Sequence, residues 1–441
     1  MSQDDASSSN LHSLMAAQKL LDDGQLEACL LSVKEYWLKH PEDAEAAALL
    51  GRVMNEAGRI NLSEKLERLS KTLHCEQNKT SATSTSASNE PVEGSDLVHD
   101  LFETSHALID VRLHDLAVML LERCIKFHPN EPVINYELGF SLMSLGKFHQ
   151  ATKHFEKAGE KEKDFDTTLN LAVCYSLTRR IEEARNMLKC LEDLAQEDDE
   201  KKELAHRKTV LKRLERMQNK SVFTHRDWLY ILYGSILLRP QLELGSTVEG
   251  PQKIAMTLAL LKGLFQGLRV DVEIVEYYST YSRPLAKMLA ELLSISSDSY
   301  KGPNRPERTL LVMSWAADII GPHRSFMENN YQRLLFAYGL PMSEPLPVTP
   351  DVVGAFIQEL HMPWSENVQK GTNSDQVLES IVCKAQALET DPDFINQIEE
   401  LVNYYDERRE LLVLGNSSVF PERPEYSAEV HESVQLEIPS V

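Results

Sequence analysis

No stretch of this 441-residue chain is a long apolar run, and a membrane-crossing helix needs roughly 18 or more such residues. The opening residues, MSQDDASSSN, lack the basic start and apolar core of a secretory signal, and Arg is too scarce for a transit peptide. A cytoplasmic protein with no membrane insertion is the expectation. The six cysteines (Cys29, Cys75, Cys124, Cys174, Cys190 and Cys383) include no CxxC pair. They read as reduced small hydrophobes rather than a disulfide framework or a zinc site. His99, His106 and His114 lie 7 and 8 apart, and His149 and His154 lie 5 apart. Two metal ligands on one helix face would sit about 3 or 4 apart. GxGxxG, P-loop GK[ST], GxSxG and HExxH are missing, so the usual local signatures of nucleotide binding and hydrolysis are too. No cofactor, metal or catalytic residue is expected.

Positive charge is also short. Lys and Arg number 46 against 68 Asp and Glu, a net charge of −22. Repulsion from phosphates then opposes non-specific binding to nucleic acid or to an anionic membrane. Residues 361–441 hold 16 acids against 5 bases, half of the whole excess.

What is present is a repeat, and a repeat decides the fold. In ELGFSLMSLGKFHQATKHF (137–155), Leu138, Gly139, Leu142, Gly146, Phe148, Ala151 and Phe155, with Ala158 beyond, set one register. The following unit fills the slots with Leu171, Ala172, Tyr175, Arg179, Ile181, Ala184, Leu188 and Leu191. The preceding one uses Thr104, Ser105, Leu108, Arg112, His114, Ala117, Leu121 and Cys124. Two earlier units centre on Ala16–Ala17 with Gly24 and on Leu50–Gly51 with Gly58. Small residues at Gly139 and Ala151 let two antiparallel helices approach, Gly146 permits the turn, and stacking buries the faces left open.

This pattern resembles the tetratricopeptide repeat (TPR) family. The resemblance implies stacked helical hairpins whose first helices line a groove for an extended partner segment. Carried over residue by residue, the groove positions are His99, Phe102 and His106, then Val133, Tyr136, Phe140 and Met143, then Leu169 and Val173. Members that grip a free carboxylate use Lys, Arg and Asn at such places, and those are missing here. An apolar and aromatic groove suits an extended apolar segment instead. Packing between repeats is the competing role for Tyr136 and Phe140.

Residues 1–9 read as a disordered start, 10–77 as repeats one and two, and 78–97 as a Ser/Thr-rich linker. Residues 98–220 read as repeats three to five plus a capping helix. The basic cluster of that helix (Lys208, Lys212, Arg213, Arg216 and Lys220) reads as a solvated face.

From 222 to 362 the pattern becomes α/β. Residues 228–239, 269–278, 309–319 and 332–340 read as strands, and 251–267, 282–295, 322–330 and 350–360 as helices. A proline (Pro251, Pro284, Pro322, Pro350) marks each helix start. A helical extension spans 375–412, and 413–441 reads as a disordered acidic tail. Ligands of such sheets sit at the carboxyl ends of the strands. Arg239, Asp318, Tyr338, Ser343 and Glu344 fall there. So do Ser282, Arg283, His323 and Arg324, which form a candidate anion site at helix starts.

The fold class expected is multidomain: all-α TPR-like repeats, then an α/β domain with a mostly parallel sheet, then a disordered tail. The function expected is a protein-interaction adaptor or chaperone-like scaffold. The alternative is an enzyme or sensor for a small phosphate- or carboxylate-bearing ligand, recruited by the repeats.

Overall fold

The computed structural model describes residues 3–82, 94–160, 163–240, 242–302, 305–318, 332–341, 345–364, 374–416 and 423–424. The chain divides into two compact units, Met1–Asp198 and Asp199–Val441.

The first unit contains five helical hairpins: α1 (Gln3–Asp22) with α2 (Leu26–Lys39), α3 (Ala44–Glu56) with α4 (Ile60–Ala82), α5 (Gly94–Asp110) with α6 (His114–Phe127), α7 (Pro132–Ser144) with α8 (Phe148–Ala158), and α9 (Phe165–Leu177) with α10 (Ile181–Leu194). The expected small-residue slots are where the helices touch. A Cβ on Gly139 would lie 3.0 Å from the Phe155 ring, and one on Gly51 would lie 3.4 Å from Leu66 Cβ and from the Ser63 carbonyl. Leu142, Phe155, Ala151 and Leu188 are buried around these contacts, each burial removing apolar surface from water. Cys29 and Cys124 are buried, and their thiols face the Ala17 and Val98 carbonyls.

The hairpin turn repeats one backbone state. Gly24, Gly58 and Gly146 are left-handed, with φ of 73°, 73° and 74°, and Arg112 and Arg179 occupy the same slot with φ of 62° and 61°. The left-handed region costs an L-residue roughly 1–2 kcal/mol, part of which glycine returns as lost chain entropy. Arg112→Gly and Arg179→Gly are therefore expected to stabilise the protein by about 0.5–1 kcal/mol each, read as a higher urea midpoint at unchanged slope.

The Ser/Thr run does not divide the repeats into two blocks. Helix α4 extends to Ala82, and α5 packs directly against it. Lys65 and Glu103 pair at 2.8 Å, and Thr72 donates to Asp100 at 2.6 Å. Further along the stack Lys34 meets Asp115 at 2.7 Å, and Arg123 donates to the Pro41 carbonyl at 2.9 Å. Residues 83–93, the centre of the expected linker, lie outside the described residues.

The second unit opens with α11 (Asp198–Arg216) and α12 (His225–Tyr233), followed by β1 (Ile236–Leu237), β2 (Leu242–Val248), α13 (Pro251–Leu268), β3 (Ile274–Tyr277), α14 (Arg283–Leu293), β4 (Ser296–Ser299), β5 (Thr309–Trp315), β6 (Arg333–Leu340) and β7 (Val352–His361), and ends on α15 (Ser374–Leu388) and α16 (Pro392–Asp406). Every strand pairing is parallel, in the order β1–β7–β6–β5–β3–β4. Strand β2 pairs parallel with β7 beyond β1, so the two share one edge position. Strands β5 and β6 are buried almost throughout and β7 over its first six residues, as covered parallel sheets require.

Four expectations change here. Residues 228–233 form helix, not strand: Thr224 and Asp227 make a reciprocal capping box, and left-handed Gly234 ends the helix. Residues 350–360 form the central strand β7, not a helix. Its Val352, Val353, Phe356 and Ile357 are buried between β6 and the β1/β2 edge, where β-branched and aromatic side chains pack well. Strand β4 occupies Ser296–Ser299, between an expected helix and an expected strand, where no element is expected. Helix α11 belongs with the second unit. In it Arg213 is buried and donates to the Leu411 carbonyl at 2.9 Å, Arg216 pairs with Glu410 at 2.6 Å, and Lys220 beyond it pairs with Asp227 at 2.6 Å. Within the basic cluster Arg213 is buried and structural, whereas Arg216 and Lys220 pair while 41% and 40% exposed, and Lys212 is exposed.

The helical extension is part of the same unit. Gly263 and Gly267 of α13 let α16 approach, since a Cβ there would fall 2.7 Å from Ile398 and 2.4 Å from Val402. The expected tail is also anchored. Arg423 and Pro424 return to the sheet, with Arg423 bonded to Asp351 and Thr349 N–H bonded to the Pro424 carbonyl. Residues 417–422 and 425–441 lie outside the described residues.

Candidate functional site

In the first unit, the first helices α5, α7 and α9 form one layer. His106 Nε2 lies 3.9 Å from Glu137 Oε1, linking α5 to α7, and Asn170 Nδ2 donates to Tyr136 Oη at 3.3 Å, linking α7 to α9. The nine groove positions fall on this layer but differ in exposure. Val133 is 53% exposed, His99 and His106 are exposed, and Phe102, Phe140, Met143 and Leu169 are half-buried. Val173 is buried and contributes packing. Tyr136 packs within its own hairpin and bonds to the next: its ring lies edge-on to Phe155 of α8 at 5.7 Å, and its hydroxyl accepts from Asn170 of α9. Phe140 touches the His114 ring at 6.0 Å while keeping part of its surface open.

Glu137 lies outside the expected groove set of apolar, aromatic and histidine positions. Its side chain is 16% exposed. Burial pushes its carboxyl above the usual carboxylate range; His106 opposes the shift and Asp110 adds to it. The folded state thus binds the Glu137 proton more tightly than the unfolded chain does. The stability this contributes is fully present below the ordinary glutamate pKa and is lost as pH rises through the raised folded value. Glu137→Gln is expected to raise the melting temperature at about pH 7, with the gain shrinking to nothing near about pH 4. A differential scan at both pH values checks it.

In the second unit, Ser282 and Arg283 lie after the carboxyl end of β3. Ser282 is fully buried: its Oγ accepts from Ser314 N–H at 2.9 Å and lies 3.2 Å from Ser279 Oγ. That hydroxyl ties the β3–α14 loop to the end of β5. Arg283 is exposed. His323, Arg324, Ser343 and Glu344 lie outside the described residues, so the structure brings only two of the four anion-site residues into view. Arg239 and Tyr338 are buried against Glu249. Tyr338 donates to the Glu249 carboxylate, and the Arg239 guanidinium sits 5.5 Å over the Tyr338 ring. Burial raises the Tyr338 phenol well above its usual range, and nothing in the local sequence singles out Glu249. Asp318 follows β5, its carboxyl raised by burial.

A cleft of about 240 Å³ opens at the other end of the sheet, the amino end. It is lined by Arg269, Arg308 and Arg409 with Asp271, Leu334 and Leu412. Arg308 pairs with Asp271 at 3.2 Å. Among the described residues no group of His, Cys, Asp or Glu could hold a metal ion, and no helix is long and apolar enough to cross a membrane.

Comparison with protein-family models and with curated proteins finds no match. Solved structures similar to part of the chain include MamA of AMB-1, at 20% identity and a TM-score of 0.24, covering 42% of this chain and 98% of that one. MamA (41-end) from Desulfovibrio magneticus RS-1 shows 16% identity and a TM-score of 0.22, covering 48% and 97%. YrrB, described as a TPR protein with an unusual peptide-binding site, shows 16% identity and a TM-score of 0.24, covering 43% and 87%. In this chain the TPR-like character of the first unit rests on its own five hairpins, their common left-handed turn and the close-packed Gly139 and Gly51 slots.

Proposed function

We propose that this protein is an interaction adaptor, and that the layer of α5, α7 and α9 holds an extended, largely apolar segment of a partner protein. The observation that carries this reading is open apolar surface on the first helices. Val133 is half-exposed, with Phe140, Met143 and Leu169 partly open along the same layer. A contiguous apolar strip left open on one face, unlike a single exposed apolar side chain, is the kind of surface a partner covers.

The test is a comparison of partner sets retained by the immobilised full chain and by a Val133→Asn/Met143→Asn variant. Tyr136 is avoided because its loss would disturb packing on Phe155. The reading expects the variant to lose its principal partners while its far-ultraviolet circular dichroism is unchanged. Retention of the full set by a folded variant would overturn it.

A further inference from the structure

The two helix layers of the later repeats differ in charge. Helices α5, α7 and α9 hold six carboxylates (Asp96, Asp100, Glu103, Asp110, Glu137 and Asp166) and no Lys or Arg. The six Lys and Arg that these hairpins carry on their helices, Arg123, Lys126, Lys153, Lys157, Arg185 and Lys189, all lie on the second helices α6, α8 and α10, and four more (Arg112, Lys147, Arg179 and Arg180) sit in the turns. Those second helices carry acids as well, so the asymmetry is an exclusion of cations from the first-helix layer.

Not all six carboxylates face the groove freely. Asp100 is buried and accepts from Thr72, and Glu103 is paired with Lys65. Asp110 and Asp166 are exposed, and Glu137 sits between the open apolar positions with His106 at 3.9 Å. Tyr136, at the centre of the layer, feels the charges of Asp166 and Glu137 together. An apolar strip is thus bordered by carboxylates from all three first helices. Packed helices sit about 8–10 Å apart, so three of them span roughly 20 Å, the reach of about six extended residues.

We infer that the segment this groove accepts is cationic as well as apolar, an extended stretch in which Lys or Arg alternates with large apolar side chains. The inference rests on the groove reading above and adds its charge selectivity. Apolar side chains meet Val133, Phe140, Met143 and Leu169, and the intervening cations meet Asp110, Glu137 and Asp166. Like charge rejects acidic segments.

Fluorescein-labelled octapeptides test this by anisotropy with the full chain at low and moderate salt. One alternates Leu with Lys, one Leu with Ser, one Leu with Glu. The Leu–Lys peptide is expected to bind about tenfold or more tighter than Leu–Ser at low salt, with Leu–Glu weakest. Asp110→Lys/Asp166→Lys should reverse that order. Glu122→Lys/Asp193→Lys, exposed on the second helices, should leave it intact. Equal affinity for Leu–Lys and Leu–Ser, or equal effects of the two double variants, would overturn the charge inference. If Val133→Asn/Met143→Asn then weakens both peptides, the groove itself stands. If it weakens neither, the groove reading fails as well.

Discussion

Arg423→Ala is expected to destabilise the second unit by about 3–5 kcal/mol, the range for removing one partner of a buried ion pair. Arg423 and Asp351 have fully buried side chains, with contacts of 2.9 and 2.7 Å. The guanidinium also donates to the Arg333 carbonyl at 2.8 Å, and Asp351 accepts from Leu335 N–H at 2.7 Å. Both strands β6 and β7 therefore depend on one residue near the end of the chain. Without it the Asp351 carboxylate stays buried with a single backbone donor in place of a cation. A neutral double replacement that removes both charges should be milder, because much of the loss comes from the stranded carboxylate. Urea unfolding of the single and double variants checks this, and truncation after residue 422 should cost at least as much as Arg423→Ala, because it also removes the Pro424 carbonyl that accepts from Thr349 N–H.

Phe155→Ala is the second large effect, about 3–5 kcal/mol as for other fully buried aromatics. Phe155 is 0% exposed. Its ring fills the gap over Gly139 and supports the Tyr136 ring. The cavity left behind has no side chain on Gly139 to fill it. Because a repeat stack is stabilised unit by unit, the loss should appear as early opening around α7 and α8. Amide exchange should show that opening there while α1–α4 keep their protection.

These two residues also show what could be read from the chain alone. Phe155 was legible because the small, small and large slots of Gly139, Ala151 and Phe155 recur at the repeat spacing in neighbouring units (Ala172, Ala184 and Leu188; Ser105, Ala117 and Leu121), and periodic offsets need only the sequence. Arg423 was not legible. It lies among acidic and polar residues that read as tail, and its role depends on Asp351, 72 residues away. The turn slots were half-legible. Glycine announces a left-handed turn at Gly24, Gly58 and Gly146, but Arg112 and Arg179 adopt it only because the hairpins around them demand it. In the α/β unit, α12 and β7 were exchanged in type. Aromatic and aliphatic runs of that length suit a buried helix or a central strand equally. The Thr224–Asp227 capping box was the local signal that decided α12. In the candidate site, the apolar positions were legible from the repeat register, whereas Glu137 and Glu249 gained their meaning from burial.

The account centres on the first-helix layer as the partner-binding face, and site-specific photo-crosslinking tests that most directly. A benzophenone amino acid is placed at position 140 on α7, or at exposed position 153 on α8, in the full chain expressed in cells. The account predicts discrete partner adducts from position 140 and none from position 153. Adducts from position 153 alone, or equal yields from both, would contradict it.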